Sequence, residues 1–131
     1  MANFQTLTPI NPIGRCFETT YHVYVNPNTD INAIVCHGIG IATFTTMAKQ
    51  KIAHSWIEFN ENGKIMAIDT TFCIIVDAAI YRDRFQPSYI IEYSRCNYLK
   101  NCRETKTFGP WDEKIAALAS EWYEKLALSS N

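Results

Sequence analysis

The chain is predicted to be an α+β domain, with helices packed on a small antiparallel sheet. Three observations carry this expectation. Strand-like segments follow one another at residues 32–41, 51–59 and 64–71, with no helical pattern between them. The last two are separated only by Asn60-Glu61-Asn62-Gly63, a hairpin signal because Asn and Gly tolerate positive φ. Finally, the C-terminal stretch repeats apolar residues at helical spacing. The 131 residues, 47% hydrophobic and 19% charged, suffice for one core, so residues 1–131 are expected to form a single domain.

Taken in order, residues 1–15 carry Pro9, Pro12 and Gly14 and read as an irregular arm. Residues 16–25, CFETTYHVYV, support two readings. Alternation and β-branched or aromatic content favour a strand, whereas Phe17, Thr20, Tyr21 and Tyr24 also fall on one side of a helix. Asn26-Pro27-Asn28 ends the element in either case. The apolar run FCIIVDAAIY, leading into Arg82-Asp83-Arg84, leaves its class open, and SYIIEYS after Pro87 reads as another strand. The closing helix is expected to take Pro110 in its first turn, with Asp112 and Glu113 at its positive end. Ile115, Leu118, Ala119, Trp122 and Leu126 form its apolar stripe.

The hairpin carries the most chemical information. With a four-residue loop at 60–63, His54 lies directly opposite Asp69. With a two-residue loop at Asn62-Gly63, Asp69 becomes a diagonal neighbour on the same face. Only an odd-length loop or a bulge separates them. A carboxylate beside an imidazole fixes its tautomer and stabilises its protonated form, the orienting arrangement of thiol and serine acyl-transfer catalysts. A structural His–Asp hydrogen bond in a half-buried sheet has the same signature. Trp56 shares the face of His54, where it either walls a site or fills the core.

A nucleophilic cysteine needs its thiolate form, favoured at a helix N-terminus and beside an imidazolium. Cys16 follows a turn-like Pro12-Ile13-Gly14-Arg15 and opens the first regular element. If 16–25 is helical, its thiol lies at the positive end of the dipole and its backbone N–H can help hold an oxyanion. Cys36 is the rival, but its neighbour His37 would point to the other face of a strand, so the adjacent pair is a poor catalytic one. Cys36 reads as a small core residue, Cys73 as core, and His22 as an exposed or satisfied side chain. Cys96 and Cys102 have five residues between them, too many for half of a zinc knuckle, and no metal is expected.

The order Cys16, then His54-Ser55-Trp56-Ile57-Glu58, then Asp69-Thr70-Thr71 resembles the transglutaminase-like branch of the papain-like cysteine enzymes. The resemblance extends to small bacterial and phage relatives, through His37-Gly38 and the late Gly109-Pro110-Trp111-Asp112, and spans roughly residues 14–115. It implies a papain/transglutaminase-like core, with an N-terminal helix bearing the cysteine packed on a small antiparallel sheet and a C-terminal helix. It also implies Cys16 as nucleophile, His54 as general base and acid, and Asp69 as the orienting carboxylate. Trp56, His37 and Asn11 are the expected substrate-binding residues, and Gln5 or Asn11 the candidates for an oxyanion donor. Asp69-Thr70-Thr71 stands where the family has D-P-T or D-x-T.

The function expected on these grounds is thiol-dependent acyl transfer, by a cysteine protease, isopeptidase or amidase acting on a protein or peptide amide, isopeptide or thioester. The alternative is a non-catalytic binding or inhibitory module on the same fold. Such a triad needs no cofactor. Twelve Lys and Arg against thirteen Asp and Glu give no basic field, so no nucleic-acid partner is expected. Apolar runs are too short for a membrane span, and the N-terminus lacks the pattern of a secretory signal. The odd count of five cysteines points to a reduced, cytoplasmic setting. The oligomeric state is left open.

Overall fold

A computed structural model describes residues 15–41 and 50–129, the side chains at 122, 123 and 125–129 excepted. Its elements are α1 (Cys16–Tyr24), β1 (Ile34–Ile41), β2 (Lys51–Glu61), β3 (Lys64–Asp69), β4 (Ile74–Asp77), α2 (Ala78–Phe85), β5 (Tyr89–Tyr93), α3 (Arg95–Thr105) and α4 (Glu113–Ser129). The strands form one antiparallel sheet in the order β4-β3-β2-β1-β5. The α+β class is therefore observed. No described helix is long and apolar enough to cross a membrane.

Segment 16–25 is helical despite its strand-like composition. Cys16, Phe17, Thr20 and Tyr24 are the buried positions, one helical face laid against the sheet. Tertiary burial of that face overrides a local preference worth only tenths of a kcal/mol per residue. β1 starts two residues later than expected because the N–H groups of Asn32 and Ala33 are taken by the Asp30 side chain and carbonyl. Asn62 and Gly63 both have positive φ, 54° and 87°, the signature of a two-residue type I′ turn. Glu61 then pairs with Lys64 and β2 runs on to Glu61.

The open apolar run resolves into a turn, a strand and a helix. β3 ends at Asp69 because the N–H groups of Thr71 and Phe72 turn back to its Oδ1. Asp77 caps α2 by accepting from the Ala79 N–H at 2.8 Å. Cys73, expected in the core, is exposed: it sits in the turn before β4 with φ 55°. Pro110, expected inside the last helix, precedes it instead. Asp112 is the capping residue, accepting from the N–H groups of Lys114 and Ile115. Ile115 and Ala119 of the expected stripe are buried, while Trp122 and Leu126 lie outside the described side chains.

Both sheet faces are covered. On one, Cys36, Trp56 and Ala67 pack against Ala78, Tyr81 and Phe85 of α2. On the other, Ala53 meets Cys16 and Phe17 of α1 with Ile115 and Ala119 of α4, and Val35 and Ile57 meet Tyr24 and Tyr98.

Candidate active site

The two-residue turn sets the register Ile57–Ile68, which places Asp69 diagonal to His54 on the α2 face of the sheet. Across that diagonal, His54 Nε2 lies 2.7 Å from Asp69 Oδ2. The carboxylate is saturated. Its Oδ2 also accepts from the Tyr81 hydroxyl at 2.5 Å, and its Oδ1 accepts from the N–H groups of Thr71 at 2.9 Å and Phe72 at 3.2 Å. Two donors on each oxygen fill the lone-pair sites of the group and fix its orientation. With all four positions receiving hydrogens, His54 must present Nε2 as the donor. Its Nδ1 makes no hydrogen bond of ordinary geometry.

Cys16 comes to this pair from the other side of the sheet. The β2–β3 ladder begins only at Ile57, and the start of α1 lies beside the part of β2 before it. The Thr19 and Thr70 hydroxyls meet at 2.9 Å, and Cys16 Sγ lies 4.0 Å from the Ala53 carbonyl oxygen. The thiol donates to that carbonyl and acts electrostatically on the His54 ring, with no hydrogen bond formed to Nδ1. The cap residue of α1, Arg15, makes no side-chain capping bond; its guanidinium pairs with Glu18 instead.

Electrostatics follow from this packing. Burial alone would lower the His54 value, but the Asp69 charge and the Cys16 thiol outweigh it and raise it above the ordinary histidine range. Burial would likewise raise Asp69, yet His54, Tyr81 and the Phe72 N–H hold the carboxyl below its usual range. Burial and then the Asp69 charge push the Tyr81 phenol up, so it remains a neutral donor. Cys16 and Asp69 are fully buried, and His54 is 1% exposed.

The remaining expected site residues lie elsewhere. His37 points to the opposite face, fully buried among the rings of Phe17, Tyr93, Trp111 and Tyr98, with both ring nitrogens unpaired. Burial draws it down to about 3. It therefore has no path to a substrate at His54 in this structure. Trp56 fills the core and donates its Nε1–H to Glu58 at 2.9 Å, so it is not an open wall. Asn11 and Gln5 lie outside the described residues. His22 lies 3.8 Å from Glu18 on the outer side of α1.

Tyr81 is the member of the site that sequence reasoning missed. The cap residue Asp77 and the buried positions Ala78, Tyr81 and Phe85, at spacings of three and four, form a helical signal. It was masked by the apolar strand immediately before it. Among the described residues, Cys36, Glu58 and Glu92 bring three ligating atoms within 4.8 Å of one another. The guanidinium of Arg82 already occupies that place, bonded to Glu58 at 2.9 Å through two nitrogens and to Glu92 at 3.0 Å. A cavity of about 960 Å³ opens near the far end of α1, lined by Tyr21, Val25, Phe59 and Ile68, and none of Cys16, His54 and Asp69 borders it. Comparison with protein-family profiles, curated proteins and solved structures finds no match to this chain.

Proposed function

We propose that the protein is a thiol-dependent acyl-transfer enzyme with a papain/transglutaminase-like core. Cys16 is the nucleophile, His54 the general base and acid, and Asp69 the orienting carboxylate. One observation carries the reading: His54 is held through Nε2 by a saturated carboxylate while its Nδ1 makes no hydrogen bond, and the thiol that opens α1 acts electrostatically on the ring. The chain order Cys16, His54, Asp69 supports the same assignment through the family resemblance.

In this mechanism the imidazolium stabilises the Cys16 thiolate. The sulfur attacks the carbonyl carbon of an amide, isopeptide or thioester, forming an S–C bond and an oxyanion. The N–H groups at the start of α1, that of Cys16 included, are the proposed donors for that charge, since Arg15 supplies no side-chain cap to them. His54 delivers its proton to the leaving amine or thiol as the bond to the carbonyl breaks. It then takes a proton from water, which attacks the thioester and releases acid and free Cys16. Hydrolysis is favoured over transfer to an amine because water is always at hand. The substrate class is a protein or peptide, and no cofactor enters any step.

The test is site-resolved mass spectrometry after p-nitrophenyl acetate or iodoacetamide. Near pH 6, Cys16 is expected to react about tenfold faster than the exposed Cys73 and Cys96, and His54→Ala abolishes the advantage. If Cys16 stays unmodified while the exposed thiols react, the assignment is wrong. A second reading, a binding or inhibitory module with an unused thiol, is favoured by the complete burial of Cys16. Cys16→Ala separates the two: binding of a partner survives it, catalysis does not.

A further inference from the structure

The Asp69 oxygen that holds His54 is shared. Oδ2 receives the His54 Nε2–H at 2.7 Å and the Tyr81 hydroxyl at 2.5 Å, from opposite elements, β2 and α2. Tyr81 is 1% exposed, and its ring is fixed between Trp56 and Phe85, with centroids at 5.4 and 6.1 Å. The phenol therefore has little freedom to swing off the carboxylate. From this geometry we infer that Tyr81 is a positioning residue, one that sets how strongly Asp69 holds His54 by competing for the same oxygen. The inference deepens the acyl-transfer reading and rests on it for its functional meaning, though not for its physical content.

The reasoning is that of two donors on one acceptor. A neutral hydroxyl draws electron density from Oδ2 and leaves less for the imidazole, so the His54 bond is weaker than an unshared one. Removing the hydroxyl makes Oδ2 a better partner for the imidazolium and raises the proton affinity of His54. The titratable groups acting on that ring from other elements are Asp69 of β3, Cys16 of α1 and His37 of β1. From α2, Tyr81 reaches it through Asp69, whereas Arg82 is engaged by Glu58 and Glu92. α2 thus reaches the triad through the Tyr81 hydroxyl and through the Phe85 ring, whose centroid lies 5.8 Å from that of His54.

The experiment is nuclear magnetic resonance of histidine-labelled full-length protein, comparing wild type with Tyr81→Phe, which retains the packed ring. The expected result is an upward shift of the His54 titration by about half a pH unit, a threefold change in proton affinity. A downfield move of the His54 Nε2–H resonance should accompany it. In an Asp69→Asn background the same substitution should change neither. Site-specific 3-fluorotyrosine at position 81, a stronger donor that keeps every contact, should shift both signals the other way and serves if Tyr81→Phe does not fold. An unchanged or downward titration in folded Tyr81→Phe overturns the inference, as does a fluorotyrosine shift of the same sign as Tyr81→Phe. Because these signals read the imidazole directly, they remain valid even if Cys16 proves inert in the acylation test, so the two readings fail separately.

Discussion

Replacing Asp69 by Asn changes four hydrogen bonds at once, and the structure dictates how each responds. The carboxylate accepts from the N–H groups of Thr71 and Phe72, from the Tyr81 hydroxyl and from His54. An amide has one acceptor oxygen and one donor nitrogen, so two of the four partners must become acceptors. The backbone N–H groups cannot reverse. The hydroxyl can rotate, and the imidazole can change tautomer. The amide oxygen therefore settles toward Thr71 and Phe72, its nitrogen donates to His54 Nε2, and the imidazole proton moves to Nδ1, facing Cys16. In that tautomer the ring has no lone pair for the thiol proton, a fault that costs about 10⁴-fold in rate in a triad of this logic. Stability should fall as well. All four bonds to a charged acceptor, about 1.5–3 kcal/mol each, become neutral ones of about 1 kcal/mol, a loss of about 2–8 kcal/mol against the roughly 5–15 kcal/mol of a typical domain, so folding of the variant is verified first. The assay pairs Cys16 acylation by p-nitrophenyl acetate with nitrogen-15 shifts that report the His54 tautomer. A folded Asp69→Asn protein that keeps the Nε2–H tautomer, or acylates within tenfold of wild type, refutes the reasoning.

Two further outcomes follow from the buried histidines and a glycine. His54 is raised to about 10 in the fold and His37 lowered to about 3, against an ordinary 6.5 for both. The raised group contributes stability that is full below pH 6.5 and is lost as pH climbs toward 10. The lowered one contributes stability that is full above 6.5 and is lost as pH falls toward 3. Urea unfolding should therefore give a maximum between pH 6 and 7, with each limb falling by at most about 1.4 kcal/mol per pH unit and per group. A free energy that is flat from pH 4 to 9 counts against both environments. Gly109→Ala should lower stability by about 2–5 kcal/mol. Its φ of 95° disfavours a side chain, and the added Cβ would lie 2.7 Å from His37 Cε1, so strain and overpacking add. Thermal unfolding checks it, and a midpoint equal to wild type would show that the His37 cage is loose.

Legibility in the sequence followed the reach of each signal. Four of the five described strands were readable because a two-residue side-chain period is local, and both loop lengths considered put His54 and Asp69 on one face; the two-residue Asn62-Gly63 turn then sets the diagonal register. Two helices escaped. α3 buries only Tyr98 among its eleven residues, so it has no apolar stripe to find. α2 is eight residues long and follows directly on an apolar strand, so its own spacing was submerged. At 16–25 composition pointed to a strand, and the deciding contact, Cys16 against Ala53, is thirty-seven residues away along the chain. Tyr81 and the cage around His37 depend on such distant packing throughout. The expected place of His37 in a substrate site came from family order alone, whereas the strand pleat turns it away from His54.

The charged groups of this core are not all of one kind, and the contrast bears on the function. Glu58 is buried, but Arg82 meets it with two nitrogens and extends toward solvent, and Trp56 supplies a third donor. Every atom there is matched, as expected of a polar cluster retained for architecture. Besides His54 Nδ1, the unpaired buried atoms among the described residues are Thr20 Oγ1, Ser55 Oγ, Thr71 Oγ1 and Tyr98 Oη with both nitrogens of His37, all of them on uncharged groups. His54 belongs to neither set. One of its nitrogens is bound by a carboxylate whose every lone pair is engaged, and the other is left open beside a sulfur. An apolar replacement of such a pair is often neutral or stabilising, so stability alone does not account for it. Three donors around Asp69 that orient an imidazole, with that imidazole left incomplete near a thiol, are what the proposed proton transfer would need. The full burial of Cys16 then has a definite consequence. Reactivity must track local opening around α1, so alkylation of Cys16 should rise with low urea before global unfolding begins, while Cys73, already exposed, should not respond.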